Sequence, residues 1–268
     1  MKIFYQSMGV ARQGTEGAYA QSLRDTLDKA AEPGTTVTVA GLGQGKAIAD
    51  QYRYLEMLDN AEICDNGLKA EREGYDAFLI GNMLDPALPE LREVLNIPVL
   101  GLCEASAHLA CLMGAKFSVI TVNERFNPKI GENIARAGLS GRLASIERMT
   151  VERGAVLDRA FVDPETRRML VAQFTEATLR AADKGAEVVI PGGGIVMANL
   201  LQAGVHEIER IPVLNGVIAL LKLGEAAARI RALTGGFTSR RLTYAPPTGK
   251  LLADIRDSYG AHVFPGAV

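Results

Sequence analysis

The stretch EVVIPGGG at residues 187–194 decides the fold class. Its apolar run has the length of one buried β-strand, and the glycines after it are typical of a turn from a strand into a helix. Comparable strand patterns recur along the chain, at residues 2–6, 36–40, 76–80, 97–100, 117–121, 142–149 and 211–214. Since longer amphipathic stretches separate them, the pattern predicts repeated βα units, a mainly parallel sheet and an α/β fold.

The strands fall into two successive series, which predicts two similar lobes. Residues 1–100 form the first lobe, together with a returning helix at about 212–232, and residues 101–211 form the second. The last stretch, 233–268, contains paired glycines, arginines and prolines, and we expect an irregular tail there. The other helices are predicted between the strands, at residues 16–31, 46–59, 105–113, 128–138, 164–184 and 195–203.

Composition excludes several classes of protein. The 268 residues carry 29 Lys and Arg against 31 Asp and Glu, and this balance argues against a nucleic acid or an anionic membrane as partner. No apolar run approaches the roughly 20 residues of a membrane span, and the N-terminus lacks the apolar segment of a signal peptide, so we expect a cytoplasmic protein. The three cysteines and three histidines show no metal-ligand spacing, which predicts no metal site.

Ligands of open parallel sheets bind beyond the carboxyl ends of the strands. Glycines there let the backbone approach a ligand and present N–H groups to an anion. Nearby hydroxyl and amide groups complete the pattern of a carboxylate or oxyanion site, which predicts a small substrate with a carboxylate or amide. The predicted substrate-binding residues lie in the turns after four strands: Gln6, Ser7, Gly81, Asn82, Thr121, Val122, Gly192, Gly193 and Gly194.

Four motifs carry a family resemblance. They are IGNMLDPAL at residues 80–88, IPVLGLCEA at 97–105, VIPGGG at 189–194 and IPVLNGV at 211–217. In this order they resemble motifs of the aspartate/glutamate/hydantoin racemase superfamily, most closely those of hydantoin and allantoin racemases. The resemblance implies two pseudo-symmetric lobes with an active site in the cleft between them, no metal or organic cofactor, and a homo-oligomer. It also implies that two cysteines on opposite sides of the substrate remove and return a proton.

The sequence departs from that family pattern at the decisive positions. The first family cysteine is replaced by Asn82 and the second by Gly193, while Asn215 stands where the family has an aspartate. Asparagine donates and accepts hydrogen bonds but is no useful acid or base near neutral pH. The paired-thiol reaction is therefore not expected, although the anion-binding turns remain.

Two residues of the second motif are candidates to replace the thiols, and with Asn82 as an amide donor they form the predicted catalytic set. Cys103 is either a relocated thiol or a small buried apolar residue. Glu104 is either a general base or a residue of a first helical turn that interacts with the helix dipole. We expect a hydrolase or lyase that stabilises an enolate or a tetrahedral oxyanion. An isomerase or racemase with relocated acid and base residues, and a catalytically silent binding protein, are the alternatives.

Overall fold

A computed structural model describes residues 1–10, 17–43, 51–150 and 154–267. The first lobe is built on a parallel four-stranded sheet of β1 (Lys2–Val10), β2 (Thr36–Leu42), β3 (Ala77–Ile80) and β4 (Val99–Gly101), in the order β2-β1-β3-β4. The helices that follow its first three strands are α1 (Ala18–Ala30), α2 (Arg53–Arg72) and α3 (Leu88–Val94).

The second lobe repeats this order. Its parallel sheet contains β5 (Phe117–Thr121), β6 (Leu143–Arg148) and β7 (Val188–Pro191) in the order β6-β5-β7, and a parallel bridge from Val189 to Val213 occupies the fourth position. The helices up to this point are α4 (Leu102–Met113), α5 (Phe126–Arg136), α6 (Gly154–Arg159), α7 (Pro164–Asp183) and α8 (Gly194–Gln202). A short hairpin, β8 (Glu207–Ile208) and β9 (Ile211–Pro212), precedes α9 (Gly216–Thr234).

The two sheets share one central core, because strands that are buried on both faces need apolar cover on each side. The inner faces of β1 and β3 pack with those of β5 and β7 and with α4 and α9, through residues such as Leu79 and Ile190. Along β1 the side chains alternate: Ile3 and Tyr5 enter the central core, whereas Phe4 and Met8 enter an outer core beneath α2 and α3. The predicted α/β fold with two lobes is confirmed.

Several elements differ from the sequence expectations. The helix predicted at 46–59 begins at Arg53 and continues to Arg72, and its residues 46–50 lie outside the described ranges. The continuation of this helix past residue 59 was not predicted, because it contains Gly67 and glycine disfavours helices. The structure shows why glycine is needed there: a Cβ at this position would lie 2.3 Å from a methyl carbon of Leu91 in α3. The short helices α3 and α6 were not predicted.

The stretch 233–268 is not wholly irregular, which corrects the expectation of an irregular tail. It contains an 11-residue helix, α10 (Gly249–Tyr259), in which Leu252 is the one buried residue. Arg240 attaches this stretch to the first lobe by donating hydrogen bonds to the carbonyls of Arg92 (2.9 Å) and Glu93 (3.0 Å).

Three further expectations stay predictions: the exact lobe boundaries, the homo-oligomer and the cytoplasmic location. Among the described helices, none combines the length and the apolar character needed to cross a membrane.

Candidate functional site

The two lobes present equivalent turns at the carboxyl ends of their central strands. Chain order reverses between β1 and β3 and again between β5 and β7, and such reversals are where open α/β sheets bind ligands. The N–H of Gly81 donates to the carbonyl of Gln6 (2.8 Å), and the N–H of Gly192 donates to that of Ile120 (2.7 Å). Residues 81–83 and 192–194, the edge turns, are therefore equivalent, and Asn82 corresponds to Gly193.

Packing explains the first glycine of each edge turn. A Cβ at Gly81 would lie 2.3–2.4 Å from the ring and hydroxyl of Tyr5, and one at Gly192 would lie 2.8 Å from the carbonyl oxygen of Ile120. Gly193 differs, since its φ of 173° is ordinary extended backbone and no described atom lies within 4 Å of a Cβ built there. Among the described residues, the second edge turn therefore has no neighbour beside the position that a side chain on residue 193 would occupy.

A tyrosine lies beside each edge turn. Tyr5 lies against Gly81 and is fully buried, and its hydroxyl has no hydrogen-bond partner among the described residues. Tyr19, in the first turn of α1, places its hydroxyl 2.4 Å from a Cβ built on Gly194. Burial, and next the proximity of Tyr19, raises the pKa of Tyr5; burial, and next Asp158, raises that of Tyr19. Both phenols are thus neutral hydrogen-bond donors.

The predicted binding side chains of the first lobe form mostly internal hydrogen bonds. The Gln6 amide donates to the Ser7 carbonyl (2.9 Å) and accepts from Asn66 of α2 (2.9 Å), so this side chain faces the outer core, which argues against its predicted contact with substrate. The Ser7 hydroxyl accepts from the N–H of Gly9 (3.2 Å). Asn82, half-buried in its edge turn, accepts from the N–H of Leu84 (2.7 Å).

In the second lobe, the predicted binding residues Thr121 and Val122 also make contacts within the protein. The Thr121 hydroxyl is fully buried, 2.7 Å from Oδ1 of Asn127 and 3.2 Å from the Glu147 carbonyl. Val122 packs against the outer core of its lobe. A contact that sequence reasoning missed joins the lobes here: Asn123 donates to Oε1 of Gln51 (2.7 Å).

The placement of Glu104 argues against a general base at the edge turns. Both its carboxylate oxygens bind the Arg92 guanidinium of α3 at 3.0 Å, a bidentate pair that is strong and directional. The carboxylate lines a different cavity of about 430 Å³, formed by α4, α9 and the C-terminal stretch, with His108, Phe237 and Tyr244 among its other lining residues. A local pattern placed Glu104 correctly at the start of a helix but could not show which way it points.

The structure places Cys103 in the central core. Its side chain is 1% exposed within the central core, and burial, followed by the nearby Asp85 carboxylate, raises the pKa of the thiol well above its usual value. A buried thiol with a raised pKa does not provide the reactive thiolate. This placement supports the interpretation of Cys103 as a small buried apolar residue.

The remaining thiols and imidazoles also lie outside the edge turns. Cys64 belongs to α2 and Cys111 to the last turn of α4, while the histidines lie in α4, before β8 and after α10. Within the described ranges, no three His, Cys, Asp or Glu side chains converge as metal ligands would.

Asp85 is a buried carboxylate with a structural role in this region, and the sequence analysis did not identify that role. Its two oxygens accept the N–H groups of Cys103 and Glu104, each at 2.9 Å, and so cap the N-terminus of α4, where Gly101 provides no side-chain cap. Burial raises the pKa of Asp85 to about 7. The available signal was its place in the IGNMLDPAL motif, shortly before a helix that lacks an N-cap side chain.

We expect Asp85 to make stability pH-dependent. Because its folded pKa lies above the unfolded value of about 3.9, its contribution to stability is fully present below pH ~4 and is lost as pH rises through about 7. The free energy of unfolding should therefore fall across this window, by at most about 1.4 kcal/mol per pH unit. Urea titrations from pH 4 to 8 measure this slope, and Asp85→Asn should remove most of it.

Asp163→Asn is the contrasting control for this measurement. A hydrogen bond from Thr166 lowers the pKa of Asp163, so its contribution is instead lost as pH falls toward acid. If Asp85→Asn kept the full wild-type slope between pH 5 and 8, the assignment of that slope to Asp85 would be wrong.

Comparisons with known proteins agree with this architecture. A model of the Asp/Glu/Hydantoin racemase family matches residues 9–224. A hydantoin racemase from Pseudomonas sp. (strain NS671) is 30% identical over 253 residues, covering 94% of this chain and 96% of the relative. The structure of an allantoin racemase from Pseudomonas fluorescens superposes with a TM-score of 0.74 at 24% identity, over 93% of this chain and 98% of the other. One from Klebsiella pneumoniae gives 0.73 at 23% identity, over 93% and 94%.

Proposed function

The chain belongs to the Asp/Glu/hydantoin racemase family, and we propose that it binds a small cyclic amide or carboxylate between its edge turns and catalyses exchange of the acidic proton beside the carbonyl. The observation that supports this most is the pair of equivalent edge turns, one beside Tyr5 and the other beside Tyr19, with no described atom within 4 Å of a Cβ built on Gly193. In this proposal the two turns share one ligand.

The groups around this region favour an acceptor oxygen as the feature that is recognised. The backbone of Gly193, the Asn82 amide and the two neutral phenols are hydrogen-bond donors, and donors aimed at a carbonyl oxygen stabilise the negative charge that develops when its neighbouring carbon loses a proton. A hydantoin has such a carbon between a carbonyl and a nitrogen, and one relative is named a hydantoin racemase. We therefore take a hydantoin-like ring as the first substrate class to test.

The proposed reaction uses water rather than thiols to move the proton. Hydroxide or water removes the proton from carbon, the C–H electron pair becomes the enolate, and the donors hold the enolate oxygen. Water then returns a proton to carbon. Because no side chain of the edge turns is an acid or base that selects one face, the proton returns on either face and the product is racemic.

Thiol-independent exchange is the expected result that tests this proposal. With 5-methylhydantoin in D₂O, proton NMR should show enzyme-dependent loss of the ring C–H signal, and chiral chromatography should show inversion. Prior alkylation with iodoacetamide should leave the rate largely intact, and the rate should rise with pH because hydroxide is the base. Complete inactivation by iodoacetamide, prevented by bound ligand, would instead identify a catalytic cysteine.

The same experiment separates the alternatives. The hydrolase or lyase expected from the sequence would yield a ring-opened or shortened product in the NMR spectrum. Its predicted base, Glu104, is held by Arg92. A catalytically silent binding protein would show saturable binding without exchange. A binding protein without catalytic activity is the second candidate function, because the cysteines, the histidines and Glu104 lie outside the edge turns.

A further inference from the structure

We propose that the hydroxyl groups of Tyr5 and Tyr19 form a donor pair that binds one acceptor oxygen of the ligand at the junction of the two lobes. This inference rests on the proposed function and names the side chains that recognise its substrate. The ligand class is a neutral or anionic molecule with a carbonyl, enolate or carboxylate oxygen, since a protonated phenol donates one hydrogen bond.

The first observation is the unpaired hydroxyl of Tyr5. The side chain is 0% exposed, and its oxygen has no hydrogen-bond partner among the described residues. Buried polar atoms in native proteins are nearly always satisfied, so an unpaired one needs an explanation such as a ligand or water that completes it. Packing alone does not require the hydroxyl, because the neighbouring residues on this face, Ile3 and Leu79, are apolar.

The second observation is where the hydroxyl points. Tyr5 is the last central-core residue of β1 before the strand outruns its pairing with β3, and its hydroxyl lies 2.4 Å from a Cβ built on Gly81. The absence of a side chain at Gly81 therefore makes room for the phenol at the start of the first edge turn. If residue 5 only filled the core, an apolar side chain would be enough, and Gly81 would not have to leave room for a hydroxyl.

The third observation is the approach of Tyr19 from another element. Tyr19 lies in the first turn of α1 in the first lobe, and its ring centroid is 6.3 Å from that of Phe161 in the second lobe. Its hydroxyl lies beside Gly194, the last residue of the second edge turn, at 2.4 Å from a Cβ built there. Each tyrosine thus lies against a glycine next to one of the positions where the family carries a cysteine, Asn82 and Gly193.

The electrostatic environment keeps both groups in the donor form. Burial is the main cause that raises the pKa of each phenol. A phenol that stays protonated donates to an acceptor oxygen and is no base, which agrees with the proposed role of water as the proton acceptor.

The test compares three tyrosine-to-phenylalanine variants by titration with 5-methylhydantoin. Tyr5→Phe removes an unpaired hydroxyl, so we expect an unchanged or higher midpoint of thermal unfolding without ligand, together with an affinity about tenfold lower. Tyr19→Phe should also weaken binding by about tenfold. Tyr75→Phe is the matched control, because the Tyr75 hydroxyl donates to Thr38 (3.0 Å) away from the edge turns: its unfolding midpoint should fall slightly and its affinity should not change.

A spectroscopic readout adds independent support. Ligand binding to the wild type should perturb near-ultraviolet tyrosine absorption, and Tyr5→Phe should remove most of that change. If the wild type binds the probe and both Tyr5→Phe and Tyr19→Phe bind it equally well, the donor-pair assignment is wrong while the proposed function stands. If the wild type neither binds nor exchanges small hydantoins and carboxylates, the proposed function is wrong and the assignment fails with it.

Discussion

Gly193→Val is expected to abolish ligand binding without lowering the midpoint of thermal unfolding. The backbone at Gly193 is extended, with φ 173° and ψ 145°, a conformation that a β-branched residue accepts. No described atom lies within 4 Å of a Cβ at this position, so a valine side chain there should extend into the space that the ligand would fill. Calorimetric titration with 5-methylhydantoin should show no detectable binding, while the thermal melt stays at the wild-type midpoint.

Gly192→Ala is the matched control on the neighbouring residue. A Cβ at Gly192 would lie 2.8 Å from the Ile120 carbonyl oxygen and 3.0 Å from the Cα of Thr121, and backbone atoms do not move aside cheaply. We expect this small substitution to cost about 1–3 kcal/mol of stability, as overpacking does. The larger side chain at 193 should therefore be the better tolerated. Unchanged affinity in Gly193→Val would place the ligand elsewhere.

The second large effect is a gain of function when cysteines are introduced at positions 82 and 193, where the resemblance to the family implies them. Asn82 and Gly193 occupy equivalent positions after equivalent strands, so Asn82→Cys combined with Gly193→Cys should place one thiol on each edge turn. A racemase needs this arrangement, because the proton leaves one face of the carbon and returns on the other. We expect the double variant to acquire proton exchange with inversion that iodoacetamide abolishes, on top of the alkylation-resistant exchange of the wild type.

The single variants are the controls for this gain. Each should add at most one-sided, alkylation-sensitive deuterium exchange to the wild-type background, without added inversion. Asn82→Cys should also cost about 1 kcal/mol, because the N–H of Leu84 loses its acceptor. We expect low rates, since thiolate formation depends on neighbouring groups. Asn215, at the position where the resemblance implies an acid, instead caps α9 by accepting from the N–H of Ile218. A double variant that binds the substrate but shows no alkylation-sensitive exchange would contradict the equivalence of residues 82 and 193.

Much of the architecture could be predicted because its signals are local. Buried parallel strands appear as short apolar runs, and the turns after β3 and β7 require glycine because Tyr5 and the Ile120 carbonyl leave no room for a Cβ. The short helix α3 escaped because its seven residues leave little periodic pattern to read. The helix α10 escaped because the paired glycines, arginines and prolines before it led to the expectation of an irregular tail.

The structure places several of the predicted side chains away from the edge turns, for one physical reason. Position along a strand or helix follows from local periodicity, but the direction and partner of a polar side chain depend on elements that meet only after folding. Gln6 illustrates this, because its amide faces Asn66 of α2 instead of a ligand. Glu104 illustrates it again, because Arg92 of α3 captures its carboxylate.

The amino-acid sequence alone therefore determined a two-lobed parallel α/β protein with glycine turns at its strand ends and the motifs of the racemase family, since each of these is written in contiguous residues. Only the tertiary structure decided which groups surround the edge turns. Tyr5 and Tyr19 belong to β1 and α1, and they reach Gly81 and Gly194 because the lobes pack on one core. Contacts between residues so far apart in the chain leave no periodic trace in its sequence.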